Sequence, residues 1–409
     1  MSGSYHDPIR HLEYLRQSLS QDNKPIGFFL SAGCPLAVPM ENGEWPLIPD
    51  IKKLTEWVRA ELKDDETFKL LIKELEKAKI DINNIEDILS FIRDMLQVAK
   101  GNNVRGFTEA QLINLEKNVC KKIVKKMNVL LPNKETPFHI LGKWISSIDR
   151  KIPIEIFTTN YDMLIEQALE DLEVPYFDGF VGARKAFFDL RAVVESKLIP
   201  EHWTRYWKIH GSINWYLEEL NGQKKVYRSS EIKENESHLI YPSHLKYEQS
   251  RKMPYLALID QLGSFIRQKS SFLVISGYSF NDEHLNNTII NALKANPTAM
   301  ALGLMNETYM NKNNKNKLSE RYPQAYKHAK NQHNLNIWTY DIGIIGTNEC
   351  EWKKCKEDAD EDILRFIEVN KKEEDPDIET ALLKLGDFFL FTSFLKTLIG
   401  ANKEYQNDK

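Results

Sequence analysis

Short, unbroken apolar segments recur along this chain, and segments with helical periodicity separate them. The apolar segments are residues 26–30, 154–157, 272–275, 299–304 and 336–340. A strand buried on both faces is apolar along its whole length, as the strands of parallel sheets are. Helical spacing of apolar residues occurs between these segments, for example over residues 161–172 and 281–293. This alternation predicts an α/β fold with a Rossmann-like, doubly wound parallel sheet.

Two parts of the chain depart from this alternation. Residues 51–131 carry amphipathic helical patterns without a strand pattern, which predicts a helical insertion. Residues 346–409 are also helical in pattern, and the charged stretch 371–377 predicts a solvated loop. The apolar cluster 388–391 is expected to be either domain core or a subunit contact. The predicted organisation is a sheet domain formed by residues 1–50 and 132–345, the insertion at 51–131 and a C-terminal helical segment at 346–409.

Composition limits the classes of function that this chain can have. Its 409 residues exceed what one hydrophobic core usually supports, so several structural units are expected. A net charge of −4 excludes a global positive field that attracts nucleic acid or anionic lipid. The Asn- and Lys-rich stretch 311–317 is either an exposed helix start or loop, or a local nucleic-acid patch.

Cysteine spacing and hydropathy predict the compartment. The four cysteines form neither a disulfide framework nor a zinc knuckle, so reduced thiols and no zinc are expected. The first ten residues are polar, and no apolar run approaches the roughly 20 residues of a membrane span. We therefore expect a cytoplasmic protein without a membrane contact.

Small residues follow two of the predicted strands. Ser31-Ala32-Gly33 comes directly after the strand at 26–30, and Gly277-Tyr278-Ser279 follows the strand at 272–275. Small side chains leave backbone N–H groups accessible to phosphates. Each tripeptide alone is also compatible with a simple turn. Two of them at the ends of parallel strands indicate a crevice of the type that binds dinucleotides.

Three other positions have both a structural and a chemical interpretation. Asn160 is either the N-cap of a helix that begins near Tyr161 or a functional amide, and Asp162 complements the dipole of that helix. His210 is either a satisfied core or loop residue or a base. Asp282 and His284 are spaced as two metal ligands are, but without a third ligand nearby, helix capping by Asn281 or Asp282 is favoured.

The combination of these blocks resembles the sirtuin-like NAD-binding domain over residues 26–340. The blocks, in chain order, are Ser31-Ala32-Gly33-Cys34, Pro49-Asp50, Thr158-Thr159-Asn160-Tyr161-Asp162, Lys208-Ile209-His210-Gly211-Ser212 and Gly277-Tyr278-Ser279-Phe280-Asn281-Asp282. In particular the chain resembles sirtuin-like effectors of bacterial anti-phage defence, of the stand-alone kind that act with a HerA-type ATPase. The resemblance implies that the sheet domain binds NAD+.

The resemblance also implies a role for each matching residue. Asn160 positions the nicotinamide ribose or an attacking water, and His210 is the base. The cofactor-binding residues that it implies are Ala32 and Gly33 at the pyrophosphate, Asp50 on the nicotinamide side, Thr159 and Asp162 beside Asn160 and the ribose, and Gly277, Tyr278 and Ser279 at the adenosine half. The chain departs from the family at Ser31 and Pro35, and it lacks the four-cysteine zinc module of sirtuin deacetylases.

These features predict an NAD+ glycohydrolase that releases nicotinamide and ADP-ribose and acts in abortive infection by removing NAD+. Without a deacetylase groove, water is the simplest acceptor for the ribose carbon. Two alternatives stay open. One is a nuclease subunit of an ATPase complex, and DNA is expected as a partner only in this case. The other is a regulatory subunit that binds NAD+ or ADP-ribose without turnover. The helices outside the sheet domain are expected to form a homo-oligomer and the contact with the ATPase.

Overall fold

The computed structural model describes residues 5–41, 45–220, 223–233, 238–240, 254–306, 317–353, 360–372 and 375–404. The described helices are α1 (Pro8–Leu19), α2 (Ile51–Glu61), α3 (Glu66–Lys77), α4 (Ile85–Val98), α5 (Glu109–Met127), α6 (Pro137–Ser147), α7 (Leu164–Asp171), α8 (Leu190–Val194), α9 (Tyr255–Arg267), α10 (Glu283–Ala295), α11 (Leu318–Arg321), α12 (Pro323–Asn331), α13 (Glu361–Leu364) and α14 (Phe388–Glu404). Single 3₁₀ turns lie at Cys34–Ala37 and Ser196–Leu198. The Asn- and Lys-rich residues 311–316 lie outside the described part.

The described strands form two sheets and one separate hairpin. They are β1 (Ile26–Leu30), β2 (Glu155–Thr158), β3 (Tyr176–Phe177), β4 (Phe180–Val181), β5 (Ala186–Phe188), β6 (Thr204–Lys208), β7 (Gly211–Leu220), β8 (Gln223–Arg228), β9 (His238–Ile240), β10 (Phe272–Ser276), β11 (Met300–Leu304), β12 (Leu335–Trp338), β13 (Ile342–Ile345), β14 (Asn348–Glu351), β15 (Ile367–Lys372) and β16 (Asp375–Leu383). In the described residues the large sheet has the order β14-β13-β12-β11-β10-β1-β2-β6-β3, and the smaller one has the order β4-β5-β8-β7-β9.

The large sheet is doubly wound about β1. From β1 the chain continues in one direction through β2 to β6, and it later returns to the other side of β1 with β10, β11 and β12. All of these pairings are parallel, whereas the β12–β13 and β13–β14 pairings at one edge are antiparallel. The prediction of a Rossmann-like α/β fold is confirmed. The reversal of strand order between β1 and β10 is a topological switch point, where the carboxyl ends of parallel strands leave a crevice.

Alternate residues of each central strand enter two different hydrophobic cores. In β1, Phe28 and Leu30 pack with helices α1, α6, α7 and α14 and with the helices of residues 51–127. Phe29 points to the opposite face, where α9, α10 and α12 pack. A sheet covered on both faces needs apolar residues at consecutive positions, which explains the unbroken apolar runs in the sequence.

Residues 51–127 form four helices, as the periodicity predicts. A side-chain cap precedes each helix: Asp50 for α2, Asp65 for α3, Asn84 for α4 and Thr108 for α5. These side chains accept hydrogen bonds from backbone N–H groups that the first helical turn leaves without partners. Local sequence therefore determines where each helix begins.

The region after residue 346 contains strands that helical periodicity did not predict. Ile367 begins β15 instead of continuing a helix, and Leu382 lies in β16, which pairs antiparallel with β15. The described residues of the 371–377 stretch belong to these two strands, so the prediction of a solvated loop there was wrong.

The smaller sheet was also missed. Its strands β4 and β5 contain only two and three residues, which is too short for a clear alternating pattern. The sheet packs through Phe180 and Trp215, whose ring centroids are 4.8 Å apart, on the same face as α9. Strands β4 and β5 lie between β3 and β6 in the chain, whereas β7, β8 and β9 lie in the crossover between β6 and β10.

Helix α14 packs against the central sheet. Phe391 is fully buried, with its ring centroid 6.2 Å from that of Phe28, and Phe388 is 5.3 Å from Phe138 of α6. Lys396 forms an ion pair with Glu135 at 2.6 Å. Of the two possibilities for the 388–391 cluster, domain core is therefore correct for Phe388 and Phe391, while Phe389 is 36% exposed.

We predict that Phe391→Ala lowers the free energy of unfolding by about 3–5 kcal/mol, because it removes a buried ring and leaves a cavity against β1. Phe389→Ala, on the same helix, is the matched control and is expected to cost much less. Urea unfolding followed by circular dichroism measures both. Equal losses in the two variants would contradict the assignment of Phe391 to the core.

Candidate functional site

The turns after β1 and β10 pack backbone against backbone at the switch point. The N–H of Gly33 donates to the carbonyl of Gly277 at 2.9 Å, and the N–H of Ser31 donates to that of Ser276 at 3.1 Å. A Cβ atom at Gly33 would lie 2.7 Å from the Cα atom of Gly277. Gly277 itself has a φ of +68°. Both positions therefore require glycine, one for space and the other for space and conformation.

This packing changes what the first turn can offer a phosphate. The N–H groups of Gly33 and Cys34 already donate to Gly277 and Ser31. Ala32, at the apex of the turn, is exposed. The missing side chain of Gly33 thus serves the contact between the two turns, and the position of Ala32 and Gly33 at a pyrophosphate stays a prediction.

The turn after β2 is joined to the turn after β1. The side-chain amide of Asn160 donates through Nδ2 to the carbonyl of Ser31 at 3.3 Å. The hydroxyls of Ser31 and Thr159 lie 2.6 Å apart. Helix α7 begins only at Leu164, so the prediction that Asn160 caps a helix beginning near Tyr161 was wrong. Asp162 instead accepts the N–H of Leu164 at 3.1 Å.

The segment after β6 lies beside the Asn160 turn. The N–H of Ile209 donates to the carbonyl of Thr158 at 2.8 Å, and that of Ile213 donates to the carbonyl of Tyr161 at 3.0 Å. His210 lies between these two attachments, and the ring centroids of His210 and Tyr161 are 6.5 Å apart. Two distant parts of the chain therefore place Asn160 and His210 in adjacent turns.

A fourth contact joins His210 to the segment after β10. Nε2 of His210 is 3.4 Å from Oδ2 of Asp282, the residue before α10. We call the four segments 31–34, 158–162, 208–213 and 277–282 the strand-end ring. Each contacts the next, because the carboxyl ends of parallel strands share one edge of the sheet. Asn160 and His210 are only 7% and 5% exposed, so the ring is closed around them.

Three of the predicted site residues have other surroundings. Asp50 accepts the N–H of Lys53 at 2.8 Å and so caps α2, outside the hydrogen bonds of the ring. The ring of Tyr278 packs 5.0 Å from Phe29, and its hydroxyl donates to Asn286 at 2.9 Å, which places this side chain in the core. Ser279 is exposed. Their assignment to ligand contacts stays a prediction.

A buried charge network lies beneath the ring. Lys208 is 1% exposed, and its ammonium group contacts Glu166 Oε1 at 2.7 Å and the carbonyl of Asp162. Glu166 also accepts the hydroxyl of Tyr206 at 3.0 Å. Sequence reasoning missed Glu166, although a lysine at the end of an apolar strand is a signal, because a buried ammonium group requires an anionic partner.

Burial raises the pKa of Asp162 to about 6, and the nearby Lys208 ammonium group partly opposes this shift. Oδ2 of Asp162 has no hydrogen-bond partner among the described residues. A carboxylate that is buried with one oxygen unsatisfied is disfavoured in its charged form. The charged form of Asp162, two residues after Asn160, is therefore destabilised in the folded protein.

Cys34, Cys120 and Cys350 are buried, while Cys355 lies outside the described part. Within the residues placed by the structure, no group of three or more His, Cys, Asp or Glu side chains is arranged to hold a metal ion. None of the helices in those residues has the length and apolar character needed to cross a membrane.

Residues 154–329 match the family model of the SIR2-like domain. The match includes the Asn160, His210 and Gly277 segments and supports the resemblance to a sirtuin-like domain drawn from the motifs. Among solved structures, the chain is similar at 13% identity to a Sir2 enzyme studied for the "Structural Basis for the Mechanism and Regulation of Sir2 Enzymes". That similarity covers 72% of this chain and 85% of the other, with a TM-score of 0.33. No curated protein matches the chain.

We predict that Gly277→Ala destabilises the protein by more than the strain of its positive φ alone, which is about 1–2 kcal/mol. Its Cβ atom would lie 2.6 Å from the backbone nitrogen of Cys34, so the two turns must separate. Gly101→Ala is the matched control, since Gly101 has a φ of +77° and nothing within 4 Å of the added atom. Equal losses in urea unfolding would show that the contact between the turns is not required.

The contribution of Asp162 to stability should depend on pH. A carboxyl group whose pKa is higher in the folded than in the unfolded state binds its proton more tightly when folded, so its contribution favours folding at low pH and is lost as pH rises. For Asp162 the loss falls between about pH 4 and pH 6. The free energy of unfolding of Asp162→Asn, relative to the unsubstituted protein, should therefore rise by about 2–3 kcal/mol between pH 4 and pH 7. A difference that is constant with pH, measured by urea unfolding, would refute this.

Proposed function

We propose that this protein is an NAD+ glycohydrolase that releases nicotinamide and ADP-ribose. The observation that carries the proposal is the strand-end ring, in which Asn160 and His210 occupy adjacent turns at the switch point of a doubly wound sheet. The match of residues 154–329 to the SIR2-like domain supports an NAD-related activity at this position.

The chemistry requires few groups. The bond between nicotinamide and ribose breaks through a state in which positive charge develops on the sugar, and an acceptor must then reach the anomeric carbon. The amide of Asn160 is suited to order the ribose or the acceptor. The imidazole of His210, when neutral, accepts a proton from water or from a ribose hydroxyl. Water as the acceptor follows from the missing four-cysteine module of the deacetylases.

Both groups are nearly closed to solvent, so NAD+ reaches them only when the ring opens. The turns after β1 and β10 are tied by backbone hydrogen bonds, whereas the contact between His210 and Asp282 involves side chains alone. We infer that the ring opens to admit NAD+ and that the contact between His210 and Asp282 forms again before cleavage. A closed resting state also agrees with an effector that is silent until it is triggered.

The biological setting is the less direct part of the proposal. We propose that the protein acts in anti-phage defence by removing NAD+, with residues 1–50 and 132–345 as the NAD-binding domain. The helices of residues 51–131 and the segment 346–409 would provide the homo-oligomer contact and the contact with a HerA-type ATPase. The motif resemblance supports this setting, and mass photometry of the protein with and without that ATPase tests it.

We predict that Asn160→Ala and His210→Ala each lower the rate of nicotinamide release by at least about 100-fold, the usual minimum contribution of a positioned acid or base. Purified protein is incubated with NAD+, with and without the ATPase, and nicotinamide is quantified by chromatography. His202→Ala is the matched control, because exposed His202 precedes β6 whereas His210 follows it. It should retain full activity.

The same incubations with plasmid DNA distinguish the other functions. DNA cleavage while NAD+ stays intact would contradict the glycohydrolase and support the nuclease subunit. Tight NAD+ binding without products, measured by calorimetry, would instead support the regulatory subunit. Unchanged nicotinamide release in both Asn160→Ala and His210→Ala would move the active site elsewhere.

A further inference from the structure

The carboxylate of Asp282 is used on two sides. Its Oδ1 atom accepts the backbone N–H groups of His284 at 3.1 Å and Leu285 at 3.3 Å, which makes Asp282 the N-cap of α10. Its Oδ2 atom lies 3.4 Å from Nε2 of His210. The two side chains are 9% and 6% exposed. Asp282 therefore caps α10, as predicted from the sequence, and also contacts His210.

The helix terminus fixes the position of the carboxylate. Two backbone donors hold Oδ1, and the positive end of the helix dipole stabilises the negative charge. The backbone carbonyl of Asp282 is also held, since it accepts the hydroxyl of buried Tyr278 at 3.2 Å. Oδ2 therefore faces His210 from a rigid support.

A fixed carboxylate at Nε2 has a defined effect on an imidazole. It favours the tautomer with the proton on Nε2, which leaves Nδ1 as the basic nitrogen, and it stabilises the imidazolium that forms when Nδ1 takes up a proton. The separation of 3.4 Å is longer than an ideal hydrogen bond. Contacts of catalytic groups are often long without substrate and shorten in the substrate complex.

We propose that Asp282 is the positioning residue of His210, holding its imidazole in the orientation and tautomer that accept a proton during cleavage of a nicotinamide dinucleotide. The proposal rests on the proposed function, because it assigns the partner of the base in that reaction. Asp282 touches no reacting atom and acts only through His210. It reaches His210 from beyond two intervening strands, since β1 and β2 separate β10 from β6.

Other titratable groups near His210 are different in kind. Tyr161 approaches it ring to ring, and burial first, then Glu86, raises the pKa of that phenol. Lys208, two residues earlier, is directed to Glu166 and to the carbonyl of Asp162. Asp282 is an anionic group in direct contact with the His210 ring. Removing the charge of Asp282 is therefore the direct way to change the protonation of His210.

Asp282→Asn separates the two uses of the side chain. Asparagine caps helices as well as aspartate does, so the start of α10 and the thermal unfolding midpoint should be preserved. The charge facing His210 is lost. The pH midpoint of the His210 imidazole titration should then fall by about 1 unit, because a neighbouring anion favours the charged form. Two-dimensional NMR of protein labelled at histidine measures this midpoint, with the signal assigned by its loss in His210→Ala.

Turnover provides the second readout. We expect kcat for nicotinamide release to fall on the order of 10–100-fold in Asp282→Asn, with little change in KM for NAD+, because the base is mispositioned while the substrate contacts remain. The lower limb of the pH profile of kcat should shift in the same direction as the NMR midpoint. Asp282→Ser, which also caps, carries the same expectation if the first variant does not fold.

The matched control is Asp65→Asn. Asp65 caps α3 in the same way, accepting the N–H groups two and three residues further on at 2.9 and 3.1 Å, and it lies in the helical insertion. This variant should leave the His210 midpoint and kcat unchanged. A merely structural role for Asp282 predicts that both capping variants behave alike.

Each outcome decides one point. An unchanged His210 midpoint in Asp282→Asn overturns the proposal, and so does a shifted midpoint with unchanged kcat. A protein that folds but releases no nicotinamide before any substitution, with or without the ATPase, overturns the proposed function instead. A shifted midpoint together with a lowered kcat and an unaffected Asp65→Asn variant supports the positioning role.

Discussion

The backbone contact between Gly33 and Gly277 is the constraint on which the rest of the site depends. It joins the turns after β1 and β10 at the switch point of the sheet. The carboxyl ends of these two strands lie side by side, but the chain leaves β1 toward β2 and leaves β10 in the opposite direction, toward β11. Neither position has room for a Cβ atom. With the two turns fixed to each other, the carbonyl of Ser31 is placed to receive the amide of Asn160, and the segment leading to Asp282 starts from a defined point.

The charge network beneath the ring supports the third segment. Lys208 ends β6 inside the protein, and its ammonium group is balanced by Glu166 of α7 and by the carbonyl of Asp162. A buried ion pair contributes little net stability once desolvation is counted, but losing one partner is costly. Its effect here is geometrical, because it ties the strand before His210 to the turn and helix after Asn160. Burial also raises the pKa of Asp162. The low-dielectric surroundings that hold Lys208 against Glu166 therefore also destabilise the charged form of Asp162.

Much of the fold was predictable because it depends on local patterns. Unbroken apolar runs identified β1, β2, β10, β11 and β12, because both faces of the sheet are covered, but not β6, whose sequence is not an unbroken apolar run. Capping side chains such as Asp65 and Asn84 mark where helices begin. The strands that were missed lie where these patterns are weak. β4 and β5 are too short to show a period, and the hairpin of β15 and β16 carries charged residues that suggest a loop. Asn160 had two possible roles, helix cap and functional amide, because both share the same local sequence, and the helix that begins at Leu164 rules out the cap.

The sequence by itself determined the doubly wound sheet, the insertion helices and the residues from which the site is built, because spacing and side-chain size act over a few neighbouring positions. Only the tertiary structure decided which of those residues meet. Tyr278 packs in the core and Asp50 caps a helix, so their contacts with a ligand stay predictions, while Asp282, which the sequence suggests as a cap, also faces His210. Contacts of this kind depend on how strands far apart in the chain are ordered in the sheet. Strand order is set by the packing of both faces at once, and no local segment records it.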